Sequence, residues 1–206
     1  LSFDLDERRA LAAGALSPLA RALRAELTPL VDGRLPIPEQ KARLTRDGGR
    51  CSFDGTLLAF DPWSPREHKC PQCHRVFAGV AHDDWWAMAA LTGEKAMSVL
   101  AHRILSELAD RYETWPNKDN ALGSTRPFFS TYLESIWLLN LCHAIALLEQ
   151  QRGADTSTLS RVRNMLVLPS RNLIASFHEG RSNRQVWNEV AILSASRILG
   201  DHETFH

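Results

Sequence analysis

Apolar residues recur at helical spacing over most of the chain. Between residues 4 and 31, Leu11, Leu16, Leu19, Leu23 and Leu27 keep that spacing among Arg, Glu and Ala, with Pro18 dividing the segment and Ser17 positioned to cap its second half. A longer helical pattern starts at Asp83 or Asp84 and places Met97, Leu100, Ile104 and Leu108 on one stripe. After the loop PNKDNALGSTRPFF, the segment STYLESIWLLNLCHAIALLEQQ predicts another helix. TSTLSRVRNMLVLPSRNLIASFHEG predicts a helix interrupted at Pro169, and RQVWNEVAILSASRILG one that ends at Gly200. Short connections between successive helices point to hairpins stacked side by side.

Two stretches break the helical texture. GRLPIPEQKARLTRDGGR reads as a linker, with two prolines and a Gly-Gly pair. Residues 50–80 mix Phe53, Leu57, Leu58, Phe60, Val76 and Phe77 with three cysteines and read as a small β-rich insert. The organisation expected is therefore mainly α: a helical segment and linker over 1–45, a β insert over 46–82, and a helical portion over 83–206.

Composition narrows the class. With 44% hydrophobic and 23% charged residues in 206, the chain can bury a sizeable core and is not a disordered or fibrous sequence. Twenty-four basic residues balance 24 acidic ones, which argues against nucleic acid as a partner. The most apolar run, Ile136–Leu148, is interrupted by Asn140 and His143 and is short for a bilayer span, so no membrane partner is expected. The start LSFDLDERRALAAG has neither a secretory pattern nor a Met, and the chain reads as a piece of a longer protein. Its compartment stays open between periplasmic or secreted and cytoplasmic.

Cysteine placement carries the first specific chemistry. Cys142 lies in the apolar run WLLNLCHAIALL and reads as a small core hydrophobe. Cys70 and Cys73 form a C-x-x-C turn stiffened by Pro71, and a hairpin can return Cys51 to it. Three thiolates and one further ligand make a closed tetrahedral Zn²⁺ shell, which is architectural because it leaves no position for water. His68 is the favoured fourth ligand, with His74, His82 and Asp54 also within reach. A Cys70–Cys73 redox pair or a disulfide are the competing readings, although the flanks lack the βαβ context of a redox motif.

The segments CSFDGTLLAFDPWSPREHKCPQC, HDDWW, LGSTRPFFSTYLESIW and SNRQVWNEVAILSASRILGD together resemble the N-terminal part of the heparinase II/III-like polysaccharide lyases. The similarity runs from about residue 35 onward, and the last segment, an Asn-containing loop opening a helix, is its most specific part. The resemblance implies a partial (α/α) toroid of helical hairpins, followed in the whole protein by an antiparallel β-sandwich domain as its intramolecular partner. It also implies that an acidic polysaccharide or oligosaccharide containing uronic acid is cleaved by β-elimination.

Such a reaction removes the proton α to the uronate carboxylate, which requires that carboxylate to be neutralised by donors or positive charge. On the resemblance, Asn183 supplies an amide donor to it. Many relatives carry His directly after this Asn; here the residue is Arg184, suited to charge neutralisation and poor as a base. His178, five residues upstream, is the candidate base within the chain. Arg126 can clamp a sugar carboxylate, Glu134 can line the site, and Trp187, like Trp137, can stack on a sugar face. The family's downstream Tyr and His would fall beyond His206, so this piece alone is expected to be a poor enzyme.

Overall fold

The computed structural model describes residues 21, 24, 25, 27–33, 43–45, 48–51, 53–58, 67–78, 89, 90, 95–117, 120, 122–128 and 130–201. Of the helical segment expected over 4–31, residues 21, 24, 25 and 27 are described and helical; its earlier part, the caps at Asp83 or Asp84, the Trp85–Trp86 pair, Phe60 and His82 lie outside these residues.

Among the described residues the chain is mainly helical, with two small hairpins before the helices. Strands β1 (Arg43–Thr45) and β2 (Gly48–Arg50) pair antiparallel, so part of the stretch read as a linker is ordered by a ladder. Strands β3 (Glu67–Lys69) and β4 (Val76–Ala78) form the second antiparallel pair, with His68 opposite Phe77. A short 3₁₀ turn, Thr28–Leu30, lies ahead of both.

Helix α1 (Lys95–Tyr112) buries Met97, Leu100, Ile104 and Leu108, the stripe expected from their spacing. Helix α2 (Thr131–Glu149) follows and starts upstream of the apolar run at Ile136. By length and composition α2 could cross a membrane, the one helix among the described residues that could. Yet it is packed on several sides, burying Trp137, Leu138, Leu141, Cys142, Ile145 and Leu148. Each fully buried side chain of this size contributes roughly 1.5–3 kcal/mol relative to exposure. Cys142 is a core hydrophobe as expected, its thiol pushed up to about 12 by burial.

The next helical rod runs through Pro169 without a break. Helix α3 (Thr156–Val162) starts at Asp155, whose carboxylate accepts from the Thr158 amide (3.0 Å) and hydroxyl (2.6 Å). A wide π-turn over Arg163–Val167 leads directly into helix α4 (Leu168–Ala175). The proline ring would press on the carbonyl of Met165 four residues back, and the widened turn immediately before it accommodates the ring. Helix α5 (Asn183–Leu199) begins at Ser182, whose hydroxyl accepts from the Gln185 amide at 3.2 Å. It ends at Gly200, left-handed at φ 73°, as the sequence predicts.

Side-chain links fix the directions of these helices. Tyr112 at the end of α1 meets Glu134 at the start of α2, and Ser98 near the start of α1 meets Gln151 just past α2, so the two are antiparallel. Arg161 on α3 reaches Ser106 and Asp110 on α1, and Ser170 on α4 joins the Tyr112–Glu134 pair; the rod therefore runs parallel to α1. Helix α5 runs parallel to α2. Ser135 donates to Asn188 near both starts, while Arg163 joins Glu149 and the Ile198 carbonyl near both ends. Two hairpins, α1/α2 and α3–α4/α5, thus stack in the same sense, with the starts of α2 and α5 at one end.

Candidate functional site

Two groups of chemistry-bearing residues stand out: the cysteine turns, and the end shared by α2 and α5.

Cys51, Asp54, Cys70 and Cys73 point ligand atoms at one another, all within 4.8 Å, and this Cys₃Asp cluster can hold a metal ion. The sulfurs of Cys51 and Cys73 lie 3.6 Å apart, and Cys70 Sγ lies 3.4 Å from Asp54 Oδ2. All four cysteines are free thiols, so neither a Cys70–Cys73 disulfide nor any other is formed. Backbone amides converge on the sulfurs: Asp54 N–H donates to Cys51 Sγ and Cys73 N–H to Cys70 Sγ, both at 3.5 Å. Cys51 and Cys70 are buried while Asp54 is exposed.

The hydroxyl and amide of Thr56 hold the Asp54 carboxyl well below the usual carboxylate range, with the amide at 2.9 Å. Burial pushes the Cys70 thiol up, but the Cys73 and Gln72 amides and the Cys73 side chain outweigh it and leave the thiol lowered. The Arg75 amide pulls the Cys73 thiol down, yet burial, Asp54 and the neighbouring thiols prevail and push it up to about 12. Cys73 is the donor whose ionisation its neighbours oppose, and a bound dication relieves that opposition. Of the sequence candidates for the fourth ligand, His74 is exposed and in a left-handed conformation at φ 60°. His68 sits on β3, and its side chain lies outside the described residues.

The second group lies where α2 and α5 begin. Asn183 is the first residue of α5; its side chain is exposed and makes no hydrogen bond within the described residues. Arg184 follows, 3.7 Å from the Glu179 carboxylate. Trp187 is 40% exposed and meets Tyr132 of α2 edge-to-face, with ring centroids 6.5 Å apart. His178 is exposed, and its Nδ1 accepts from the Gly180 amide at 3.0 Å.

Glu134 and Arg126 are positioned differently from ligands open to solvent. Glu134 is fully buried, and its oxygens accept from the Tyr112 hydroxyl, the Ser170 hydroxyl (2.8 Å) and the Arg126 amide (2.9 Å). Burial holds its carboxyl above the ordinary glutamate range despite these donors. The carboxylate organises the loop before α2 from inside. Arg126 donates to the carbonyls of Glu113 (3.1 Å) and Trp115 (2.7 Å), tying the same loop to the end of α1. Trp137 is core, stacked on Tyr112 and edge-on to Phe128.

Sequence reasoning gave Asn188 no distinctive place, yet it is fully buried and accepts from the Ser135 hydroxyl at 2.6 Å, locking α5 onto α2. Its Nδ2 has no hydrogen-bond partner among the described residues. The only sequence signal for it was its place between Val186 and Ala191 on a helix of mixed polarity, which does not mark a buried face.

No protein-family model matches the chain, and no curated protein is found that resembles it.

Proposed function

We propose that this chain is the helical-toroid portion of a polysaccharide lyase that cleaves a uronic-acid-containing polysaccharide by β-elimination, with a structural zinc site in its β insert. The reading rests first on the sequence resemblance in the segments around Arg126 and Asn183. The single structural observation that carries it is the exposed Asn183 amide at the end shared by the two parallel helices α2 and α5, beside Arg184 and Trp187. Same-sense stacking of helical hairpins is how an (α/α) toroid is built, and its ends are where loops assemble a binding cleft.

In this reading the Asn183 amide donates to the sugar carboxylate and the Arg184 guanidinium supplies positive charge, which together acidify the α proton. Trp187 offers a ring to a sugar face. His178 is the base available in the chain, and its exposure leaves it open to substrate. Glu134 and Arg126 act by positioning the loop ahead of α2. The acid that protonates the leaving oxygen, and the β-sandwich domain that completes the cleft, would come from the rest of the protein. Zinc fits the insert because it is a borderline-soft dication that accepts soft thiolates and a hard carboxylate together in a four-coordinate set. The metal would brace the fold and leave no site for substrate.

The test is the whole protein on a panel of acidic glycans, read by the ultraviolet absorbance of unsaturated uronate ends. Absorbance should rise on at least one polymer and fall at least about a hundredfold in rate with Asn183→Ala. Binding of glycan without unsaturated product would instead favour a non-catalytic carbohydrate-binding module. Metal analysis of protein purified without added metal should find one zinc per chain, lost in Cys70→Ser.

A further inference from the structure

The two cysteine turns are copies of one another, and the copy identifies the fourth ligand. Cys51 N–H donates to the carbonyl of Thr56, five residues on (2.8 Å), and Cys70 N–H donates to that of Arg75, also five residues on (2.8 Å). Gly55 N–H returns to the Cys51 carbonyl at 2.9 Å, and His74 N–H to the Cys70 carbonyl at 3.0 Å, each from four residues on. The residue before each cysteine pairs antiparallel with the residue six beyond that cysteine: Arg50 with Leu57, and Lys69 with Val76. Gly55 and His74 occupy the same place in the turn, and both have positive φ, 77° and 60°. In each turn the third residue after the cysteine sends its amide to that cysteine's sulfur, from Asp54 in one and Cys73 in the other. Asp54 therefore stands where Cys73 stands.

We propose that Asp54 is the fourth ligand of a Cys₃Asp metal centre in which each of two equivalent turns, C-x-x-D-G and C-x-x-C-H, donates two ligands. This inference deepens the zinc reading above and rests on it. Edge lengths support it independently. A tetrahedral zinc with sulfur at about 2.3 Å and oxygen at about 2.0 Å has S···S edges of about 3.8 Å and S···O edges of about 3.5 Å. The Cys51–Cys73 sulfurs lie 3.6 Å apart and Cys70 Sγ lies 3.4 Å from Asp54 Oδ2. Each of these edges joins one turn to the other, as ligands shared across a metal must. Thr56 fixes the carboxylate through its amide to Oδ1, leaving Oδ2 toward the sulfurs, which is the outer-shell support a metal-bound carboxylate requires. Two contacts not involving the ligands also join the turns: the Thr56 hydroxyl to Gln72 at 3.0 Å, and the Arg75 guanidinium 3.8 Å over the Phe53 ring. With three thiolates and one carboxylate around a dication the centre carries a formal charge of −2, and Arg50 donates to the Gly55 carbonyl in the first turn at 3.1 Å.

Cobalt(II) titration of the purified chain and its variants distinguishes the ligand sets, since sulfur-to-cobalt charge-transfer absorbance scales with the number of thiolates. The chain should bind one cobalt with tetrahedral d–d bands. Asp54→Cys, which makes the two turns chemically alike, should raise the charge-transfer band by about a third, from three thiolates to four. Asp54→Ala should weaken cobalt binding at least about tenfold, while His68→Ala leaves affinity and spectrum unchanged. An unchanged band in Asp54→Cys, together with loss of binding in His68→Ala, overturns Asp54 as ligand but keeps the metal site. Absence of cobalt or zinc binding by the parent chain overturns the metal reading itself, and with it this inference.

Discussion

Tyr112, the last residue of α1, donates its phenolic hydrogen to Oε1 of Glu134, in the first turn of α2, where neither residue meets solvent. The same oxygen accepts from Ser170 on α4, and the other accepts from the Arg126 amide. One carboxyl group thus ties together three helices and the loop that leads to the shared end of α2 and α5. Burial and the Glu134 charge push the Tyr112 hydroxyl well above the ordinary tyrosine range, so it remains a donor at all working pH.

Removing one donor should be tolerated better than removing the acceptor. Tyr112→Phe loses one buried hydrogen bond to a carboxylate and should cost about 1.5–3 kcal/mol. Glu134→Ala orphans two buried hydroxyls and the Arg126 amide and leaves a cavity, and should cost about 3–5 kcal/mol. Urea unfolding of the two variants checks the order; equal costs would contradict the hub.

The pH dependence of this site has the opposite sign to that of ordinary carboxylates. The folded Glu134 carboxyl binds its proton more tightly than in the unfolded chain, where its value is near 4.5. Its contribution to stability is therefore fully present below about pH 4.5 and is lost as pH rises through the raised folded value. The stability of the parent chain relative to Glu134→Gln, which cannot titrate, should be greatest in acid and shrink toward neutrality. Urea midpoints of both proteins between pH 4 and 8 measure it. Asp155 behaves conversely: its carboxyl is lowered by the hydroxyl and amide of Thr158, so its cap on α3 weakens only as pH falls below about 3.8.

Gly123 should not accept a side chain. Its φ is +87°, and a Cβ there would collide with the Thr131 hydroxyl and the Phe177 ring. Gly123→Ala combines backbone strain with a clash between the α2 loop and the segment after α4, and should cost about 2–4 kcal/mol. The thermal midpoint should fall accordingly, whereas Gly153→Ala, with open space around it, suffers the backbone term alone.

Chelation should act locally. A strong zinc chelator should speed proteolysis between residues 43 and 78 while leaving most of the helical circular dichroism intact. The helical core is a separate cluster from the small one formed by Cys51, Leu58 and Cys70. Loss of all helical signal on chelation would contradict that separation.

The helices were legible because their chemistry is local. Met97, Leu100, Ile104 and Leu108 mark a buried face by spacing alone, and Gly200 marks a stop. Pro169 misled in part, because a proline forbids one hydrogen bond but a widened turn can absorb it. Glu134 read as a residue lining the site and not as a buried hub, since its partners Tyr112 and Ser170 come from 22 and 36 residues away and sequence spacing does not bring them near. The cysteines were found by their spacing, while Asp54 gave a weaker signal as one of several candidates for the fourth ligand. Its C-x-x-D-G frame echoes C-x-x-C-H only once the positive-φ residue after each ligand is compared.

The turn at Arg163–Val167 spends one residue more than a regular helix needs to come round. That surplus is taken up on the spot: deleting Asn164 would close the wide turn to an ordinary one and leave α4 close to its present phase. Ser170 would keep the carboxylate it now reaches and Arg171 would keep Asp201 and Ser196, but the Pro169 ring would then press on the carbonyl four residues back. The bulge is thus slack stored in the rod for the sake of its proline, while α3 engages α1 and α4 engages α5.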